Sequence, residues 1–404
     1  MRADGWLVFV ACGVRNLAYG VSSVILGLYL AGLGISATTI GFVFTAALAG
    51  GALLTVGLSS VADRLGRRKI ACLSAAVMAV SALAFSATRQ PVLLALTAAL
   101  GAANPSGKEI GPFLSVEQAI LPQIVKPEKR TATFAAYNMV GSYAGAVGAL
   151  AVGLPQVFGL QAQAGQRVLL WAYAGAGVAL LCLYALFSPD VEVRRAAAPA
   201  DAPRSRSSVF GLGPSRGVVL RLSALFAADA FAGGFVVQSI LAYWLSLRYG
   251  VDQAALGAIF FGTNVAAGLS FLAAAPLARR FGLLNTMVFT HLPSNALLLL
   301  VPFMPDVQWA VGLLLLRYLL SQLDVPTRQS YTMAIVQPEE RSAAAGFTSV
   351  ARNASQALAP AFTGATLATP AVGVPFLIGG GLKIVYDLAI LAVFRKLRPP
   401  EESL

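Results

Sequence analysis

The chain has 404 residues, of which 57% are hydrophobic and 11% charged, with a formal net charge of +12 and a mean hydropathy of +0.75. Soluble domains carry about 25% charged residues, so this chain cannot cover itself with polar groups, and lipid is its expected solvent. The basic excess would suit nucleic acid, but the charges fall on alternate loops between apolar stretches, which excludes nucleic acid as the partner.

A bilayer core of about 30 Å takes about 20 apolar residues per helix. By that measure twelve spans are predicted, at 6–33, 38–61, 70–88, 91–116, 132–158, 167–188, 218–246, 255–277, 283–302, 308–329, 342–368 and 372–394. The first is too long for a signal-peptide core and reads as a retained helix. Asp63-Arg64-Leu65-Gly66-Arg67-Arg68-Lys69 fixes a basic turn between spans two and three. Asn104-Pro105-Ser106-Gly107 interrupts span four, and such breaks are tolerated at membrane depth where they line protein or water. Between spans six and seven, Asp190 to Gly217 holds Ala-Pro repeats with Arg194, Arg195, Arg204, Arg206 and Arg216, a composition suited to a flexible linker. The expected organisation is an N-terminal six-helix bundle at 1–188, a linker at 189–217 and a C-terminal six-helix bundle at 218–404.

Lys and Arg set the orientation. With the N-terminus inside, the inner loops and tails hold Arg2, Arg64, Arg67, Arg68, Lys69, Lys126, Lys129, Arg130, the linker arginines, Arg221, Arg279, Arg280, Arg341, Arg395, Lys396 and Arg398. The outer loops hold only Arg89, Arg167 and Arg248. Both termini and the linker are therefore expected in the cytoplasm, with the chain multi-pass in the cytoplasmic (inner) membrane of a prokaryote.

The halves are repeats. Val125-Lys126-Pro127-Glu128-Lys129-Arg130 after span four matches Val336-Gln337-Pro338-Glu339-Glu340-Arg341 after span ten. At the same offset Glu117-Gln118 aligns with Arg328-Gln329. Gly34-Ile35 to Gly41 matches Gly250-Val251 to Gly257, and Leu65-Gly66 matches Phe281-Gly282. Parallel six-helix repeats place a binding site near the midplane at their interface.

A charge at the bilayer centre costs about 2.5–3.5 kcal/mol on insertion scales, so each needs a partner, a wet cavity or a function. Arg15, Asp229, Arg317, Arg352 and Lys383 fall near mid-depth at about 1.5 Å of rise per residue. Lys108, Glu109 and Asp324 lie nearer the basic side. Lys383 and Asp387, four apart on one helix, are expected to pair locally. Glu117 and Arg328 fit a conformational network with the basic loops better than a substrate site. His291, beside Pro293 on span nine, reads as structural. Cys12, Cys72 and Cys182 lie in three different spans without metal-ligand spacing and read as small packing residues. One histidine leaves little scope for His-based catalysis, and no Ser/His/Asp or Cys/His constellation appears, so no enzyme, metal or cofactor is expected. Nor is there a Gly-x-x-x-x-Gly-Lys-Ser/Thr phosphate loop, so a gradient must supply the energy.

These residues carry a resemblance. Asp63-Arg64-Leu65-Gly66-Arg67-Arg68 follows the Gly-x-x-x-Asp-Arg-x-Gly-Arg-Arg/Lys pattern of the major facilitator superfamily, with Ser59 at the first glycine. Arg279-Arg280-Phe281-Gly282 is its degenerate second copy, and the Pro-Glu-x-Arg loops also match. The drug/proton antiporter subgroup would add a buried Arg in span four and Gly-Pro-x-x-Gly-Gly in span five. This chain has Lys108-Glu109 and a looser series, Gly141, Gly145, Gly148 and Gly153-Leu154-Pro155.

The resemblance covers nearly the whole chain and implies an all-α membrane protein of twelve transmembrane helices in two pseudo-symmetric six-helix bundles, working by alternating access. It implies that spans one, four, seven and ten line the cavity. The candidates there are Arg15, Asn16, Lys108, Glu109, Asp229, Gln238 and Arg317, joined by Asp324 and Arg352; Asp229 and Glu109 are the coupling candidates. It further implies a latch between halves, for which Asp63, Arg64, Gly66, Arg67, Arg68, Glu117, Arg130, Arg328 and Arg341 are the candidates. The expected function is proton-coupled export of a small polar or anionic molecule by a monomer. Proton-coupled uptake is the first alternative, and a lipid-handling protein or non-transporting sensor the next.

Overall fold

The computed structural model describes residues 3–107, 112–124, 130–192, 213–337, 340–367 and 373–397. Among them the secondary structure is helical throughout: α1 Ala3–Gly32, α2 Ala37–Leu65, α3 Arg67–Ala87, α4 Pro91–Thr97, α5 Pro112–Ile124, α6 Arg130–Ala151, α7 Leu154–Val157 and α8 Ala162–Ala185. The second half holds α9 Arg216–Gly234, α10 Gln238–Tyr249, α11 Gln253–Phe281, α12 Leu283–Leu300, α13 Val307–Ser321, α14 Asp324–Ile335, α15 Arg341–Thr366 and α16 Val374–Phe394.

Nine spans among the described residues are long and apolar enough to cross a membrane. They coincide with the expected spans one, two, three, five, six, seven, eight, nine and twelve. The other three fall short for a physical reason. Span four is cut into α4 with a π-helical turn at Ala98–Ala102, the irregular stretch 103–107, and α5. Span ten is cut between α13 and α14 at Gln322 and Leu323. Span eleven, α15, is diluted by Arg341, Arg352, Asn353 and Gln356. Span seven is also interrupted, between α9 and α10, which the sequence reading did not anticipate.

The repeats have a local cause. Gly66 ends α2 and precedes α3 with φ of 102°, and Gly282 sits identically between α11 and α12 with φ of 84°. Gly34 and Gly250, the other matched pair, have φ of 79° and 66°. A Cβ strains these left-handed conformations, so both halves need glycine where a hairpin reverses. Ser36 caps α2, its Oγ accepting the Thr39 amide at 3.3 Å, and Asp306 caps α13 through the Trp309 amide at 3.1 Å.

The chain divides into two compact units. Unit 1 comprises Met1–Val193, Phe235–Val265 and Ala357–Val374; unit 2 comprises Arg194–Gly234, Ala266–Gln356 and Pro375–Leu404. In unit 1, α1 crosses α6 at backbone contact: a Cβ on Gly20 would overlap the Gly145 carbonyl, and one on Gly148 the Leu17 carbonyl. Small residues permit such approach between membrane helices. Gly148→Val is expected to destabilise the protein by about 1–3 kcal/mol through overpacking, read as a lower thermal midpoint in detergent. Gly175→Val, at a glycine with open space around it, is the matched control and leaves the midpoint unchanged.

Unit 1 also contains all of α10, the first part of α11 and the last part of α15. They are bound to the first-half helices by polar contacts. Gln166 donates to Gln253 Oε1 at 3.0 Å, and Gln253 donates to the Val152 carbonyl at 2.8 Å. The Ala361 amide donates to Thr45 Oγ1 at 3.0 Å.

Candidate functional site

Three polar constellations sit inside this apolar scaffold. The first, in unit 1, is built around the break in span four. Pro105 supplies no amide donor, and the stretch closes as an Asn-based turn in which Ser106 N and Oγ donate to Asn104 Oδ1 at 3.0 and 2.8 Å. The Asn104 amide donates to Ser22 Oγ of α1 at 3.3 Å. The Ser239 amide, freed at the start of α10, donates to the Pro105 carbonyl at 3.0 Å. Gln238 donates to Ser23 Oγ at 2.9 Å, and Ser239 Oγ to the Ser23 carbonyl at 2.7 Å. Gly107 lies against Gln238 and Ser23, closely enough that a Cβ would come 2.8 Å from Gln238 Oε1. The interruptions of spans four and seven thus satisfy each other's exposed backbone groups. Gln238 is an expected site residue; Ser22, Ser23 and Ser239 are not, because serines within apolar helices carry no distinguishing pattern.

The second constellation, also in unit 1, is a closed ion pair. Arg15 Nη1 donates to Glu117 Oε1 at 2.7 Å, and the two side chains are 1% and 0% exposed. Arg15 Nη2 donates to the Tyr137 hydroxyl at 2.8 Å, which donates to Glu117 Oε2 at 2.6 Å. Tyr184 donates to Glu117 Oε1 at 2.5 Å. The Arg15 guanidinium lies 5.6 Å over the Phe113 ring. Arg15 and Glu117, expected in different roles, are therefore partners. Asn16, beside them, donates to the Cys12 carbonyl at 2.9 Å.

The third, in unit 2, is an extended charge network centred on Asp229 of α9. Lys383 of α16 donates to its Oδ1 at 2.5 Å. Arg352 of α15 and Arg328 of α14 lie 3.2 and 3.4 Å from its Oδ2. Arg328 also donates to Asp324, one turn back, at 2.7 Å, and its guanidinium stacks 5.5 Å from the Phe226 ring. His291 of α12 brings Nε2 to 4.0 Å from Asp229 Oδ1, and its Nδ1 contacts Asp387 Oδ1 at 2.8 Å. Asn295 donates to Asp387 Oδ2 at 2.8 Å.

The structure brings Asp229, Asp324, Arg328 and Arg352 together and corrects one expectation. Lys383 and Asp387 do not satisfy each other: Lys383 turns to Asp229, and Asp387 to His291 and Asn295. The i, i+4 spacing permits a local pair worth only about 0.2–0.5 kcal/mol, and better-placed tertiary partners override it. Arg317 of α13 is 9% exposed, and its guanidinium lies 5.1 Å from the Tyr318 ring. Among the described residues no carboxylate forms an ion pair with Arg317, and its Nε has no hydrogen-bond partner.

Among the latch candidates, Gly66, Arg67 and Arg68 meet Glu192. Its carboxylate accepts the Arg67 amide at 2.7 Å and the Arg68 amide at 3.2 Å, where a negative charge suits the N-terminus of α3. Arg68 also donates to the Ala185 carbonyl at 2.5 Å, and Arg341 to the Met333 carbonyl at 2.8 Å. In unit 2, Glu340 accepts the Gly213 and Ser215 amides at 2.8 and 3.1 Å, holding the entry to α9. Lys108 and Glu109 lie outside the described residues, as do the side chains of Asp63, Arg64 and Arg130. A mainly apolar cavity of about 150 Å³ lies in unit 1 beside Asn104 and Tyr173, walled by Leu48, Leu54, Val77 and Met78.

Apolar helices, interrupted where they carry polar groups and enclosing buried charge networks, define a multi-pass membrane protein of the transporter type. The sequence profile described as Major Facilitator Superfamily matches residues 8–323, and the chain belongs to that family. The fold is shared with solved transporters. The nucleoside transporter NupG superposes with a TM-score of 0.73 at 15% identity, covering 97% of this chain and 99% of that one. A bacterial homologue of the iron transporter ferroportin, in an inward-facing state, gives 0.72 at 13% identity over 96% of this chain and 98% of that one. The uncharacterized membrane protein YJR124C of Saccharomyces cerevisiae is 25% identical over 418 aligned positions, covering 96% of this chain and 93% of its own length.

Proposed function

We propose that the chain is a secondary active transporter that moves a small polar or anionic molecule across the cytoplasmic membrane by alternating access, coupled to protons, with no catalytic chemistry of its own. The observation that carries the substrate class is Arg317. A buried guanidinium without a carboxylate partner is costly, and an anionic group on the substrate would offset that cost. The three cations gathered on Asp229 add to the positive field. Alternating access is supported by the polar contacts of unit 1, where α10, the start of α11 and the end of α15 are tied to first-half helices. Hydrogen bonds of this kind can break and reform between states without unpacking an apolar core.

The working unit is a monomer of two six-helix bundles, 1–188 and 218–404, joined by the linker at 189–217, with both termini cytoplasmic. Export in exchange for protons is the direction we propose. Uptake together with protons is the second reading, favoured by the crowding of Lys383, Arg328 and Arg352 on one carboxylate, because a proton that displaces one of these cations frees it for an anion. The apolar cavity beside Asn104 supports a lipid-handling alternative.

The test is flux in proteoliposomes of the purified protein, challenged with anionic, cationic and neutral solutes and with a fluorescent lipid. Substrate-dependent proton movement with an anionic or polar solute is the expected result, reduced at least tenfold in Asp229→Asn and Arg317→Gln. Glu109→Gln tests the second coupling candidate in the same assay. Counterflow of a solute without proton movement overturns the coupling, and lipid movement alone overturns the substrate class.

A further inference from the structure

We propose that His291 and Asp387 form a proton-binding site whose state is relayed to Asp229. The inference deepens the proton-coupled reading above by naming where the proton sits. Its basis is the geometry of four side chains in unit 2. His291 Nδ1 and Asp387 Oδ1 are 2.8 Å apart. Each atom is an acceptor when bare, so a contact this short holds one proton between them. Asn295 fixes the carboxylate from its other oxygen at 2.8 Å and also approaches His291 Nδ1 at 3.2 Å. With Nδ1 engaged, a further proton on this ring binds at Nε2. That atom is 4.0 Å from Asp229 Oδ1, beyond a hydrogen bond but within reach of an ion pair.

The charge balance shows what that proton does. With the imidazole neutral, three carboxylates (Asp229, Asp324 and Asp387) face three cations (Lys383, Arg328 and Arg352). Two further ionisable groups lie close by: Arg317 of α13, whose carbonyl accepts from Ser294 on the His291 helix, and Tyr386 of α16, its ring edge-on to His291 at 6.1 Å. Protonation at Nε2 makes four cations against three carboxylates and sets the imidazolium against Lys383 for Asp229 Oδ1. A surplus cation in a low-dielectric interior is expensive, so one existing partner is loosened. Arg352 is the candidate: its side chain is 27% exposed, against 9% for both Arg328 and Lys383. Freed from Asp229, its guanidinium is available to an anion. Proton uptake and anion binding therefore reinforce each other, as linkage requires of two ligands that favour one state.

His291 is the only histidine in the sequence, which makes the site directly observable. Protein labelled with 15N-histidine, purified as the full chain with a histidine-free affinity tag, presents one imidazole to NMR. Scanned from about pH 5 to about pH 9, a range that brackets the ordinary imidazole value, its signals are expected to change with pH, with a midpoint moved at least tenfold in proton concentration in Asp387→Asn and less in Asp229→Asn. An imidazole whose signals stay constant across that range overturns the proposal. So does a midpoint that neither variant moves. The wild-type titration needs no variant, so misfolding of Asp387→Asn cannot obscure it. Proton flux in proteoliposomes separates the two ideas. Flux that survives in His291→Gln overturns the site while coupled transport stands. A titrating imidazole without flux in the wild type retains the site and sinks the coupled reading.

Discussion

Asp229→Asn is expected to lose transport and about 3–5 kcal/mol of stability, the usual cost of stranding buried charges. The variant keeps the shape of the side chain and removes only its charge. Lys383, Arg328 and Arg352 are then left converging on a neutral amide that can accept from them only weakly. Asp324 retains Arg328 at 2.7 Å, so the uncompensated charge falls mainly on Lys383 and Arg352. Lys383, 9% exposed, has no route to water comparable to that of Arg352. The double variant Asp229→Asn with Lys383→Met is therefore expected to regain about half of the lost stability while remaining inactive. A thermal-unfolding cycle of the two singles and the double measures the coupling, and a value near zero refutes the central position assigned to Asp229.

Breaking the first-half pair has an effect of similar size and a different character. Arg15→Met leaves Glu117 charged at 0% exposure, with Tyr137 and Tyr184 as its remaining donors, and is expected to cost about 3–5 kcal/mol. Glu117→Gln costs less, because an amide oxygen at the Oε1 position still accepts from Arg15 and Tyr184, and only the bond from Tyr137 is lost. The reversed pair, Arg15→Glu with Glu117→Arg, restores neutrality but turns two tyrosine donors toward a guanidinium that accepts nothing. Its recovery is accordingly partial. Unfolding midpoints in detergent rank the variants in that order, and a fully recovered reversed pair would show the tyrosines to be bystanders.

The two halves solve one electrostatic problem with opposite signs. Glu117 and Arg328 align in the sequence repeat, and each binds a charge on the first helix of its own half: Arg15 for Glu117, Asp229 for Arg328. A duplicated scaffold can keep the position of a buried pair while its polarity changes, because the Coulomb energy is unchanged when both signs invert. The second half then elaborates the pair, adding Lys383, Arg352, His291 and Asp387, while the first half closes its pair with two tyrosines. On that difference we propose cohesion as the role of the first pair and a change of pairing as the role of the second network.

The membrane class, nine of the twelve predicted spans and the break in span four are legible in the sequence alone. These follow from local quantities: apolar length, the fixed torsion of Pro105, and glycine at the left-handed positions Gly34, Gly66, Gly250 and Gly282. It also located the buried charges, because a charge within an apolar run is conspicuous whatever surrounds it. What it could not determine was their pairing. Along one helix Lys383 and Asp387 look like partners, and Arg15, Glu117 and Arg328 look unconnected. Helix packing alone shows that Lys383 meets Asp229 from 154 residues away, that Arg15 meets Glu117 across 102, and that His291 lies between Asp229 and Asp387. Ion-pair energy depends on distance in space and on burial, and both are set by helix packing, which leaves no local trace in the chain.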